Sequence, residues 1–264
     1  MTIRSITSRD NPQYKELRRL ADNAQARRKA GQSLLDGVHL CDTWLRQTGM
    51  PLLCVVGESA LANPEVSGIV QRCEQGDARV VALPDALFHP LSQVEHGVDL
   101  LFVVETPVPA APSALTQSSV LLDRVQDPGN LGSILRSAAA AGVKQVFCSA
   151  GTVQAWSPRV LRAGMGAHFV LEIFENAELA PLVASAAIPV IATSSHTEQS
   201  LYQLDLSAPV AWLFGHEGQG VDEALLAAAT HRVAIPHLGE VESLNVAASA
   251  AVCFFEQVRQ TLAR

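Results

Sequence analysis

The sequence predicts an α/β protein whose main body is a mostly parallel sheet, preceded by a smaller α/β domain. Two observations carry that expectation. From residue 119 onward, short apolar runs alternate with helical stretches, as in βα units whose strands are covered on both faces. Ahead of them, residues 105–119 (ETPVPAAPSALTQSS) hold three prolines and almost no charge, which is a linker composition. We therefore expect a first domain over residues 1–106, a linker over 107–118 and a second domain over 119–264.

In the first part, residues 15–30 (KELRRLADNAQARRKA) read as charged helix, and residues 38–49 (VHLCDTWLRQTG) as a helix ending at Gly49. LLCVVG (52–57), RVVAL (79–83) and DLLFVVE (99–105) read as strands, with a helical stretch between the first two. In the second part the expected strands are SVLLDRV (119–125), KQVFCS (144–149), HFVLEIF (168–174), PVIATS (189–194), PVAWLFG (209–215) and HRVAIPH (231–237). Helices are expected at 131–142, 157–166, 176–187, 221–230 and 245–264.

Composition narrows the function. The chain of 264 residues is 48% hydrophobic and 17% charged, so it is globular. No apolar run approaches the ~20 residues that span a bilayer, and the polar N-terminus lacks a signal-peptide core. A cytoplasmic protein without a membrane partner is the expectation. Cys41, Cys54, Cys73, Cys148 and Cys253 are scattered without metal-ligand spacing, so we expect no metal and no disulfide framework. Net charge is −7, but residues 1–30 hold eight Lys/Arg against three Asp/Glu. That basic start reads either as a solvated helix face or as a footprint for phosphates.

Ligands of parallel sheets gather at the carboxyl ends of strands, and three polar clusters stand there. In the first, DPGNLGSILRSAAAAG (127–142), Asn130 is a candidate cap and Arg136 sits in a helix among the small residues Ser133, Ser137 and Ala140. A surface arginine is the plain reading, but small neighbours leave the guanidinium open to a docked group. In the second, LFGHEGQGVDEAL (213–225), three glycines within six residues permit close backbone approach around Glu217. It is neither a Walker loop nor a dinucleotide fingerprint, which argues against a nicotinamide dehydrogenase. In the third, IPHLGEVESLNVAAS (235–249), Ser243 and Asn245 read alone as helix caps.

Taken in order, N-L-G-S-I-L-R, F-G-H-E-G-Q-G and I-P-H-L-G-E-V-E-S-L-N-V resemble the three motifs of the SpoU family of RNA ribose 2′-O-methyltransferases, within the SPOUT (TrmH-like) superfamily. RSITSRDNPQYKELRRL and LLDGVHLCDTWL resemble the substrate-binding domain often fused ahead of it. The resemblance implies a deep trefoil knot in residues 119–264, S-adenosyl-L-methionine as cofactor, rRNA or tRNA as substrate, and a homodimer. It also implies that Thr193, Gly215, Ile235 and Leu244 touch the cofactor. Arg136 would then act at the ribose hydroxyl and its phosphate, with Asn130, Glu217, Ser243 and Asn245 positioning it, Glu217 by a direct hydrogen bond. A guanidinium gives up its proton too reluctantly for an ordinary general base, so an orienting role is favoured, with proton acceptance left open. Arg162, Arg9, Arg18 and Arg28 are the expected RNA contacts. Two departures stand out: His237 where the family commonly has methionine, and alanine after Val246 where serine is more usual. The alternative is an inactive RNA-binding or ribosome-assembly protein of the same fold.

Overall fold

The computed structural model describes residues 3–93 and 97–263. The chain forms two compact units, the first made of residues 1–107 and 156–169, the second of residues 108–155 and 170–264.

The first unit opens with β1 (Arg4–Ser5), a two-residue strand that exists through its register with a later one. Helix α1 (Pro12–Asp22) starts where Asn11 accepts from the Gln13 N–H and Pro12 fixes the first turn. Tyr14, Leu17, Leu20 and Ala21 form its buried stripe. Helix α2 (Ala24–Ala30) stops at Gly31, whose left-handed backbone suits glycine. Then come β2 (Gln32–Asp36), α3 (Val38–Gln47), β3 (Leu53–Gly57), α4 (Pro64–Gln75), β4 (Arg79–Leu83), α5 (Asp85–Phe88) and β5 (Leu100–Glu105). The sheet order is β1-β4-β3-β5-β2, with β1, β4 and β3 parallel and β5 antiparallel to both β3 and β2. Its inner face packs Leu34, Val55, Val81 and Leu101 against Leu17, Leu20 and Phe88.

The second unit begins with β6 (Ser119–Leu122), fully buried, followed by α6 (Pro128–Ala140) and β7 (Gln145–Ser149). The connection from β7 carries α7 (Pro158–Gly164), which packs within the first unit. There Phe169 meets Trp44 edge-on at 5.3 Å, and the Arg162 guanidinium donates to the Gln93 carbonyl at 3.1 Å. The expected strand over 168–174 therefore starts late. Ala167–Phe169 form a 3₁₀ turn, and β8 runs over Glu172–Ala177. Helix α8 (Leu179–Ala184), β9 (Val190–Thr193), β10 (Ala211–Phe214), α9 (Glu223–Ala228), β11 (His231–Val233) and α10 (Val246–Leu262) complete the unit.

Its sheet is ordered β11-β9-β10-β6-β7-β8, and all its neighbouring strands are parallel. The chain moves outward from β6 on one side and later fills the other side, so β6 and β10 flank a topological switch point. Helix α10 packs on α6 and sends Phe254 edge-on against Phe214 at 5.7 Å. Two glutamines fix its far end. Gln257 accepts from the Trp212 indole N–H at 2.9 Å, and Gln260 accepts from the Leu206 amide at 2.8 Å. All five cysteines are buried and unpaired. Among the described residues no helix is long and apolar enough to cross a membrane, and no cluster of side chains suits a metal ion.

Candidate active site

Three segments converge at the switch point: the loop after β6, the loop after β10 and the start of α10. Asp127 caps α6 by accepting from the Asn130 N–H at 2.8 Å. The Asn130 side chain then reaches two ways. Its Nδ2 donates to Glu217 at 3.1 Å, and its Oδ1 accepts from the Asn245 side chain at 2.9 Å. Asn245 in turn caps α10, accepting from the N–H groups of Ala247 and Ala248. One bonded chain, Glu217–Asn130–Asn245, thus ties all three sequence motifs together.

Glu217 stands at the N-terminal end of α6, where the helix dipole favours a negative charge. Its carboxylate accepts from the amides of Gln126 at 3.1 Å and Asp127 at 3.0 Å. Burial alone would raise its pKa, but the donors from Asp127, Asn130 and Gln126 outweigh that and hold it below the ordinary value. No bond runs from Glu217 to Arg136, contrary to the expected orienting contact. Arg136 lies six residues beyond Asn130, about 9 Å further along the helix axis. It is exposed and has no hydrogen-bond or ion-pair partner among the described residues. Ser243 is likewise exposed and unbonded, while the network passes through Asn245.

The loop after β10 braces itself. The His216 and Gly220 amides each donate to the other residue's carbonyl, at 3.0 and 2.8 Å. A Cβ on Gly215 would stand 2.1 Å from the backbone of Gly220 and Val221. Glycine is required there by the loop's own closure, whatever the ligand. Beneath the loop lies a pair absent from the sequence reading. The buried Asp123 carboxylate accepts from Arg124, from the Ser149 hydroxyl at 3.3 Å and from the Asp222 amide at 2.9 Å. An acid closing the apolar run SVLL was its only signal in the sequence. A crevice of about 300 Å³ beside this pair is lined by Asp123, Arg124, Ser149, Glu178 and Asp222, whose first three members are already bonded to one another.

The segment after β11 is different. Thr193 ends β9 in register with Val233 of β11, and Ile235 follows half-buried. Beyond it Leu238, Val241 and Leu244 are 106%, 58% and 37% exposed. Among the described residues the N–H groups of residues 235–244 make no hydrogen bond. His237 lies 3.1 Å from the Ile235 carbonyl and 2.8 Å from that of Val241, and curls the segment. Exposed aliphatic groups beside free amides fit a nucleoside-bearing cofactor, which asks for an apolar face and backbone polar groups. Thr193, Gly215, Ile235 and Leu244 all belong to this strand-end region.

The basic N-terminus offers less free charge than its count promises. Lys15 pairs with Asp10, Arg18 with Asp22 and Arg19 with Glu16. Arg18 also donates to the Pro90 carbonyl, and Arg162 to that of Gln93, so neither guanidinium is wholly unengaged. Arg27 is buried, donating to the Leu20 and Ala21 carbonyls at the end of α1. Arg9 and Arg28 are exposed and unpaired among the described residues.

Known proteins are similar to this chain in sequence and fold. The profile of the SpoU rRNA Methylase family matches residues 117–255. An uncharacterized tRNA/rRNA methyltransferase of Synechocystis is 34% identical over 98% of this chain and 94% of its own. The 23S rRNA (guanosine(2553)-2′-O)-methyltransferase RlmP of Bacillus subtilis is 27% identical over 96% of this chain and 98% of its own. The crystal structure of an AdoMet-bound rRNA methyltransferase from Sinorhizobium meliloti superposes with a TM-score of 0.85 at 25% identity, covering 97% and 98% of the two chains. With its three motifs joined through Asn130, the chain belongs to the SpoU rRNA methylase family.

Proposed function

We infer that the chain transfers a methyl group from S-adenosyl-L-methionine to a ribose 2′-hydroxyl of RNA, and that the RNA is 23S rRNA. The observation that carries this reading is the bonded chain Glu217–Asn130–Asn245, which leaves Arg136 as a free guanidinium on α6. RlmP of Bacillus subtilis is named for that reaction, which favours activity over the inactive alternative. Thr193, Gly215, Ile235 and Leu244 would hold the cofactor, largely through backbone groups. When bound, it supplies an electrophilic methyl on a sulfonium.

The chain's own residues do the rest. Arg136 anchors the phosphate next to the reacting ribose and orients the hydroxyl, for which its planar fork of donors is suited. Asn130 and Asn245 keep the starts of α6 and α10 in one geometry, and Glu217 neutralises the converging loop amides. Fixing reacting groups in this way can remove a large part of the barrier to such a transfer. Arg9, Arg28 and Arg162, all in the first unit, contact RNA phosphates, so binding weakens with salt.

We propose two further features. The first is the trefoil knot, supported by β10 lying between β9 and β6 while α10 returns to α6. The second is a cytoplasmic homodimer through α10. Its inward face carries Ala247, Ala250, Cys253 and Phe254, and its other face leaves Phe255 and Leu262 49% and 80% exposed, with Val252 and Val258 half-buried. Phe255→Glu should give a folded monomer with reduced activity, and a wild-type protein that sediments as a fully active monomer would refute the dimer.

The decisive experiment is incubation of 23S rRNA with the protein and methyl-labelled S-adenosyl-L-methionine, followed by mapping of the label. A single ribose carrying a 2′-O-methyl group is expected. Label on a base, or none on any RNA, would refute the reading.

A further inference from the structure

His216 lies between Gly215 and Glu217 with its ring turned onto its own loop. Its Nδ1 accepts from the Gly218 N–H at 2.9 Å and from the Gln219 N–H at 3.2 Å. A ring nitrogen that receives two N–H donors has to present a lone pair to them, so the ring proton belongs on Nε2. These two bonds, with the paired amides and carbonyls of His216 and Gly220, close the loop. The residue the closed loop displays is Glu217, on the amides of Gln126 and Asp127 and on Asn130.

We propose that His216 is a positioning residue for methyl transfer, and that its protonation is an acid-sensitive release for the loop that carries Glu217. This rests on the functional reading above. Adding a proton to Nδ1 turns the acceptor into a donor that faces two donors, and both bonds are lost. The two loop amides are then left without their partner, and Glu217 loses its fixed approach to Asn130.

The charged groups around the loop are already committed. Glu217 is held by amides and Asn130, and Arg124 spans Asp123 and Gln219. Asp123 is taken by Arg124, Ser149 and the Asp222 amide, and the Asp222 side chain caps α9. Among the described residues none of them bonds to the imidazole.

The test compares full-length wild-type, His216→Ala and His216→Asn proteins on a 23S rRNA transcript, with kcat and the cofactor KM followed from alkaline to acid pH. Asparagine sets Oδ1 where histidine sets Nδ1, and accepts from the same amides without titrating. His216→Ala should lower kcat about 10- to 100-fold, since a small misplacement of positioning groups costs that much. The cofactor KM should move no more than about threefold, because the loss is on the acceptor side. His216→Asn should restore most of kcat, and its kcat should hold at acid pH where the wild type falls.

Wild-type kcat in His216→Ala, or a wild-type acid limb in His216→Asn, overturns the proposal. Nitrogen-15 spectra of the wild-type ring give a readout that needs no variant. Nδ1 as the unprotonated nitrogen at about pH 8 supports the proposal, and a proton on Nδ1 overturns it. A wild-type protein that methylates no RNA overturns the functional reading and the proposal with it. An active protein indifferent at His216 overturns the proposal alone.

Discussion

The loops after β10 and β11 lie at the ends of strands that both neighbour β9, yet they are built on opposite plans. The first is closed by its own bonds, through the His216 ring, the paired backbones of His216 and Gly220, and a glycine whose Cβ has no room. The second has unbonded amides and exposed leucines and valine, curled only by His237. In the proposed reading the braced loop serves the acceptor side through Glu217, which meets Asn130 and, beyond it, Asn245, while Gly215 at its start touches the cofactor. The open one has its groups to spare for the cofactor. A transferase has to hold its acceptor in a fixed geometry while releasing spent cofactor at every turnover, and dividing those demands between two loops meets both.

Arg136 tests the acceptor side most severely. Its change to alanine should reduce kcat by about 10³-fold or more, the scale of losing an aimed electrostatic group. Cofactor affinity measured by calorimetry should stay within about threefold, because in the proposed reading Arg136 acts on the RNA. Lysine should rescue poorly, as it lacks the planar fork. Near-normal turnover in Arg136→Ala would erase the distinction between the two sides.

Paired substitutions in the two loops should separate stability from affinity. Gly215→Ala places a methyl against backbone and should cost about 1–3 kcal/mol in a denaturant titration, the usual range for overpacking. Leu238→Ser should leave the melting temperature unchanged while weakening the cofactor by about three- to tenfold, through lost apolar cover. A reversal of the two outcomes would mean the plans have been assigned to the wrong loops.

The smallest effect concerns Glu217 and pH. Its folded pKa lies below the unfolded value, so its contribution to stability is present above about pH 4.5 and disappears as pH falls through the lowered folded value. Glu217→Gln should therefore melt slightly below wild type at neutral pH, and the gap should close in acid. A gap that persists in acid would mean that the side chain's shape matters and its charge does not.

Much of this was visible in the sequence because the second unit obeys simple rules. Strands such as AWLF are buried on both faces and read as unbroken apolar runs, and Asn245 marks a helix start by its capping chemistry. Helix α6, however, starts at Pro128, three residues before the expected 131, with Asp127 and not Asn130 as its cap. What stayed hidden depends on distant partners. Residues 4–5 form a strand only because Val81 and Ala82 lie beside them. QSLLD, with two leucines and polar ends, became β2 by pairing with β5. The bond expected between Glu217 and Arg136 failed on helical rise, which motif order does not encode. Charge counting alone also overstated the open cations at the N-terminus, where acids three to five residues away pair with Lys15, Arg18 and Arg19, and Arg27 is buried.

The segment 156–169 bears on how such a protein could be recombined. It leaves the second unit between β7 and β8 and packs in the first, where Phe169 meets Trp44, Met165 offers its carbonyl to His39, and a Cβ on Gly166 would press on Thr43. A genetic graft that replaced only residues 1–107 would leave this segment shaped for a surface no longer there. A new first unit would have to come as two separate stretches of gene, one before the linker and one spliced between β7 and β8. The two units are thus interleaved in sequence, and variation in one is inherited together with a piece of the other.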